Sequence, residues 1–116
     1  MDVNPASRGH ALVVPRSHAT DLHSIDADDL AAVMATAQRV AGLAVEHLAA
    51  DGVNLLNCAG ADAWQTVFHF HVHVVPRYAS GPEKDTLTLP WQPTPGDPAR
   101  IAAAAAALRG EQGPPA

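Results

Sequence analysis

Three histidines stand at alternate positions in the run Gln65-Thr66-Val67-Phe68-His69-Phe70-His71-Val72-His73-Val74-Val75-Pro76-Arg77. Along an extended strand successive side chains point to opposite faces. His69, His71 and His73 would therefore share one face, and Phe68, Phe70, Val72 and Val74 the other. The apolar face has an ordinary purpose, since it can pack under a helix. The histidine face does not, because imidazole is a middling strand former and burying three polar rings costs free energy unless partners are supplied. A single strand histidine is more often structural than functional, but three in alternation are hard to explain that way.

Two chemistries suit such a row. In the first, a neutral imidazole attacks phosphorus while adjacent rings and hydroxyls place protons and stabilise charge on the phosphoryl oxygens. Crowding of like charges disfavours protonating all three rings, which keeps a neutral nucleophile available near neutral pH. In the second, neutral imidazoles ligate a metal such as zinc. Alternate rings on one strand lie ~7 Å apart by strand rise, so the outer pair reaches a shared tetrahedral ion poorly, and metal binding ranks second.

The elements that must carry these residues can be read from pattern. His10–Val14 reads as a short strand ended by Pro15, preceded by a turn-rich stretch containing Pro5, Ser7 and Gly9. From Asp26 to Ala50, apolar residues from Leu30 to Leu48 recur at steps of three and four, the signature of an amphipathic helix. Asp26 is its N-cap, Asp28 and Asp29 suit the first turn, and Asp51-Gly52 supplies the stop. Val53–Cys58 reads as a strand, Ala59–Ala63 as a loop, and Val67–Val75 as a second strand closed by Pro76, the two strands pairing antiparallel. The interval from Ser80 to Pro98 is dense in breakers. Asp97 then caps an Ala-rich helix from Pro98 to Leu108, with a tail beyond it.

Composition narrows the function classes. The 116 residues, 47% of them apolar, suit a single soluble domain. No stretch approaches the run of about 18 apolar residues that a membrane span requires, and Met1–Arg8 has no secretory pattern, so a cytoplasmic protein is expected. A formal charge of -5 argues against broad attraction to nucleic acid or acidic lipid, yet leaves room for a small phosphorylated ligand held by local donors. Cys58 is the only cysteine, which excludes an intrachain disulfide and a cysteine-rich zinc site. It falls in a run that reads as a buried strand.

The triple-histidine run resembles the histidine triad motif, His-φ-His-φ-His-φ-φ with φ apolar. Upstream, Asp2-Val3-Asn4-Pro5 and Gly9-His10-Ala11-Leu12-Val13-Val14-Pro15-Arg16-Ser17-His18 are similar to a second segment of the histidine triad (HIT) family. With Asn57, these segments cover most of the chain from Asp2 to Arg77. The resemblance implies an α+β HIT-like fold, an antiparallel sheet with one long helix packed on it and a short C-terminal helix, over residues 1–109, with a flexible tail at 110–116.

The function implied is a nucleotide-binding hydrolase that cleaves a nucleoside 5′-phosphoryl bond, in a phosphoramidate, acyl-adenylate or dinucleoside polyphosphate, through a nucleotidyl adduct on His71. His69 and His73 would flank the nucleophile and His10 would support the cluster by hydrogen bonding. Asp2 and Val3 would contact ribose and base, while Asn57, Gln65 and Thr66 would line the phosphate and leaving-group side. The resemblance implies a purine nucleotide or nucleotide conjugate as ligand, a homodimer, and no cofactor. Its alternatives are a nucleotidyl transferase acting through the same histidine and a catalytically impaired nucleotide-binding module.

Two departures stand out. Relatives carry further residues before the Asp-φ-Asn-Pro turn, which supply two strands and in many bacterial members two zinc-binding cysteines. Here Met1 directly precedes Asp2, so an N-terminally short domain without a structural metal is expected. The second is Ala63-Trp64 before Gln65, where many relatives have a glycine that lets backbone approach phosphate. Of the remaining candidates, His18 and His23 read as exposed loop residues, His47 suits the C-terminal end of the helix dipole, and Trp91 is a packing residue or borders the substrate site.

Overall fold

The long helix forms where periodicity and capping predict it. In a computed structural model that describes residues 1–111, α1 spans Ala27–Leu48. The Asp26 side chain accepts the Asp28 N–H at 2.8 Å, and Asp28 and Asp29 meet the positive end of the dipole. Val33, Ala37 and Ala44 form its buried stripe. The helix ends earlier than Asp51-Gly52, at Ala49, which takes a left-handed conformation with φ 56°. A Cβ in that region costs ~1 kcal/mol. The turn has to be immediate because Ala50 is buried beside Ala44 and Tyr78, and the Asp51 N–H already donates to the Arg77 carbonyl at 2.8 Å.

Three strands follow the α+β expectation: β1 (Ala11–Val13), β2 (Gly52–Leu56) and β3 (Val72–Arg77), arranged β1-β3-β2 with both pairings antiparallel. β3 is central. His73 sits opposite Leu12 on one side and Leu56 on the other. The main core joins Val13, Ala19, Val33, Ala37, Phe70, Val72 and Val74 between helix and sheet.

The expected strand Val67–Val75 is displaced. Regular pairing begins only at Val72 and runs through Pro76, which was expected to end it. The proline is tolerated because β1 pairs only with Val72–Val74, so no strand faces the missing N–H on that side. The Pro76 carbonyl instead accepts the Ser7 hydroxyl at 2.5 Å. Before Val72 the backbone leaves the ladder, and the Phe70 N–H donates to Ala19 at 2.7 Å. The expected alternation therefore holds for Phe70, Val72 and Val74, at 1%, 3% and 0% exposure, but fails at Phe68, which is 51% exposed. β2 is likewise shorter than Val53–Cys58, and Cys58 lies half-buried beyond it.

The segment after β3 is tied back by one carboxylate. Asp85 accepts from Arg77 Nε and Nη2, and from the N–H groups of Tyr78 and Leu87, while Arg77 also donates to Asn54 and to the Leu87 carbonyl. The Arg77 hydrogen bond, then the Tyr78 N–H, hold the Asp85 carboxyl well below the ordinary carboxylate range. α2 (Pro98–Leu108) starts as predicted, with Asp97 accepting the Ala99 N–H at 2.9 Å. It packs on none of the other helices or strands and buries no residue. The expected tail lies, from residue 112 onward, outside the described residues.

Candidate active site

The nitrogen pattern of the histidines can be worked out from their partners, because a carbonyl only accepts and a backbone N–H only donates. His71 Nδ1 lies 2.7 Å from the His69 carbonyl, so Nδ1 carries the proton and Nε2 keeps its lone pair. The Ala6 N–H donates to His10 Nδ1 at 2.9 Å, which puts the proton of a neutral His10 on Nε2. That proton points at His73 Nδ1, 2.9 Å away, and leaves His73 with its own proton on Nε2. His71 and His73 stand edge to face with ring centroids 4.9 Å apart. The row thus presents a lone pair on His71 and an N–H on His73.

Local sequence explains how these rings are held. Gly9, at φ 84°, makes the turn that delivers His10, and a Cβ there would meet Leu48 Cδ1 at 2.5 Å. Asn57 Nδ2 donates to the His71 carbonyl at 2.9 Å, anchoring the backbone at the entry to β3. His69 Nε2 lies 3.3 Å from the Pro15 carbonyl, so it carries the proton and Nδ1 can accept from His18 Nδ1 at 3.2 Å. His18 is exposed, as expected, but it is a partner of the cluster rather than a free loop residue. Pattern reading missed it because its contact spans 51 residues of sequence.

The remaining candidates divide. Asp2 shapes its own turn by accepting the Asn4 N–H at 2.8 Å, and its carboxylate lies 3.5 Å from His10 Nε2. The Asn4 N–H, with smaller help from His10 and His73, lowers the Asp2 pKa. Val3 is 90% exposed and Thr66 is exposed. Gln65, expected to line the leaving-group side, is instead buried. Its Oε1 accepts the Gly60 N–H at 2.8 Å, and its Nε2 donates to Thr20 at 2.7 Å and Val67 at 3.2 Å. Its amide is fully used in bracing the loop. Trp91 is exposed, not a packing residue.

Asp2, His10 and His73 bring one potential ligand atom each within 4.8 Å of one another. The Ala6 N–H works against ligation there, because it occupies His10 Nδ1 and so places the ring proton on the nitrogen that faces the other two groups. The geometry suits a hydrogen-bonded relay.

Burial, then the neighbouring His71 and His10, push the His73 pKa below 6.5. Below that value the unfolded chain takes up a proton that folded His73 refuses, so stability falls as pH drops from 6.5 toward the folded value. Urea unfolding between about pH 7 and about pH 5 should show this loss, with a shallower slope in His73→Gln. An unchanged slope would show that other groups govern the acid response.

A helix packed on a three-stranded sheet, with five imidazoles gathered around the entry to the central strand, defines a histidine-cluster α+β protein. The chain belongs to the HIT family: the HIT domain profile matches residues 1–80. An uncharacterised HIT-like protein of Mycoplasma genitalium is 42% identical over 81 residues, covering 70% of this chain and 57% of that protein. A protein of Arabidopsis thaliana named adenylylsulfatase HINT3 is 35% identical over 77 residues, covering 66% of this chain and 39% of its own length. The solved structure of SMU.412c from Streptococcus mutans superposes with a TM-score of 0.84 at 31% identity, covering 95% of this chain and 68% of that one. The chain thus spans about half the length of the curated relatives it matches, from 53% to 57% of the first four. Among the described residues no helix is long and apolar enough to cross a membrane.

Proposed function

We propose that the protein is a nucleotide-binding hydrolase that cleaves a nucleoside 5′-phosphoryl bond through a covalent adduct on His71. The observation that carries this reading is the His71 Nδ1 hydrogen bond to the His69 carbonyl at 2.7 Å, which leaves the Nε2 lone pair free and aimed by a rigid partner. Nε2 forms the N–P bond as the bond from phosphorus to the leaving group breaks. The leaving group departs with the electron pair and takes a proton from solvent. His73 Nε2–H donates to a phosphoryl oxygen as charge builds there. Water then attacks phosphorus, releases its proton to solvent, and returns the electron pair to His71.

The substrate class is a purine nucleotide conjugate: a phosphoramidate, an acyl-adenylate or a dinucleoside polyphosphate. The Arabidopsis relative named an adenylylsulfatase supports an adenylyl group as the transferred unit. Asp2 and Val3 stand at the ribose and base end, and His10 and Asn57 are positioning residues for His73 and His71. The test is incubation with adenosine 5′-phosphoramidate followed by phosphorus NMR. AMP release supports the reading, and no release from folded protein overturns it for this leaving group.

The protein is read as cytoplasmic, and a homodimer is the assembly that best suits its surface. β2 is an edge strand with Leu55 and Leu56 each 44% exposed, beside an open groove of about 650 Å³ lined by Met34, Ala35, Gln38, Ala41, Val53 and Leu55. Exposed apolar edges of this kind associate.

A further inference from the structure

Trp64 is the one aromatic residue whose backbone works against it. Its φ is 73° and its ψ 17°, the left-handed region in which a bulky side chain is an outlier and glycine carries no penalty. The indole gains little from packing in return, being 63% exposed. The conformation is nonetheless held firmly. The Trp64 N–H donates to Ala61 at 3.0 Å, and the next residue, Gln65, is locked through its backbone to Gly60 and through its side chain to Gly60, Thr20 and Val67. Strain maintained by surrounding structure without a packing return is characteristic of ligand-contacting positions.

Its surroundings point to the same conclusion. Val67 and Phe68, where the chain departs from the strand, are 60% and 51% exposed. The chain has only five aromatic residues of the Phe, Trp and Tyr types, and two of them, Trp64 and Phe68, are presented to solvent within a five-residue stretch that ends where His69 begins. The same loop starts at Asn57, whose amide holds the His71 carbonyl. Trp64, Val67 and Phe68 thus lie exposed in the loop that leads from β2 into the histidine row, with Phe68 directly before His69 in sequence.

We infer that Trp64 is a specificity-determining residue, a stacking platform for a planar aromatic leaving group on the nucleotide conjugate. The inference rests on the hydrolase reading for its chemistry, but it predicts binding whether or not turnover occurs. Stacking on an exposed indole selects flat groups over small alkyl ones of similar charge.

Two measurements test it. The first is the ratio of kcat/KM for adenosine 5′-(N-4-nitrobenzyl)phosphoramidate to that for the N-methyl compound. W64G should lower this ratio ~10-fold, the size of one aromatic stack, and W64F should retain part of the preference. W64G should melt no lower than wild type, because glycine relieves the backbone. The second uses the Trp91→Phe chain, in which Trp64 is the sole tryptophan. The nitrobenzyl compound should quench its fluorescence saturably, and the N-methyl compound should not. Quenching without turnover of either compound would refute the hydrolase reading and uphold the platform. A ratio unchanged in W64G, or fluorescence indifferent to the nitrobenzyl compound, overturns the platform.

Discussion

His71→Ala is expected to reduce AMP release from adenosine 5′-phosphoramidate by ~10⁴-fold or more, the scale on which losing a covalent nucleophile acts. The reason is specific to this ring. It is the member of the row whose lone pair points outward, with its proton committed to the His69 carbonyl. The ring is only half-buried and leaves Phe70 and Val72, which carry the packing, in place, so the variant should keep the wild-type fold. Circular dichroism and urea unfolding beside the rate assay separate lost chemistry from lost structure. A folded variant that still releases AMP at more than about one hundredth of the wild-type rate would remove His71 as nucleophile.

His10→Phe is expected to lower kcat by ~10²- to 10⁴-fold, the range seen when a group that sets the tautomer of a catalytic imidazole is removed. In the wild-type chain the Ala6 N–H sets the His10 tautomer, and His10 in turn sets that of His73 over a 2.9 Å hydrogen bond. Phenylalanine fills the buried site but accepts nothing from Ala6 and donates nothing to His73, so the His73 proton is free to move to Nδ1. His10→Gln has a carbonyl and an amide on one side chain and should restore part of kcat. Titration of His73 adds a readout that packing alone would not move. Loss of one neighbouring imidazole weakens the repulsion on protonated His73, so the His73 ring, followed by NMR, should titrate at higher pH in the Phe variant. Equal losses in the Phe and Gln variants, with an unshifted His73 titration, would assign His10 a packing role only.

Much of the scaffold was readable from local pattern. α1 and α2 begin at the aspartates that their spacing nominates, because a capping side chain acts within one turn. The buried stripe of α1 follows from a repeat of three and four residues, and antiparallel pairing of β2 with β3 from two apolar runs joined by a short loop. Where local cues failed, a contact distant in sequence had taken over. Ala49 replaced Asp51-Gly52 as the helix stop because Ala50 is drawn into a cluster with Tyr78. Pro76 stayed within β3 because its neighbour on one side had already ended. Phe68 turned outward because the chain at Phe70 bonds to Ala19 instead of to a strand.

The chemistry divides along the same line. Residue types and spacing alone determined that a row of imidazoles sits opposite an apolar face and that His10 opens a short strand; support of the row by His10 was implied by the family resemblance. Alternation is a property of extended backbone, and it holds where the chain stays extended, for Phe70, Val72 and Val74, and fails at Phe68. The tertiary structure alone decided which nitrogen of each ring carries the proton, that His18 joins the row, that Gln65 is consumed in bracing its loop, and that Trp64 is held in the left-handed region. His18 and Gln65 depend on partners 51 and 45 residues away, while His71 and Trp64 are set by carbonyls of His69 and Ala61 nearby in sequence, whose placement residue types alone do not give.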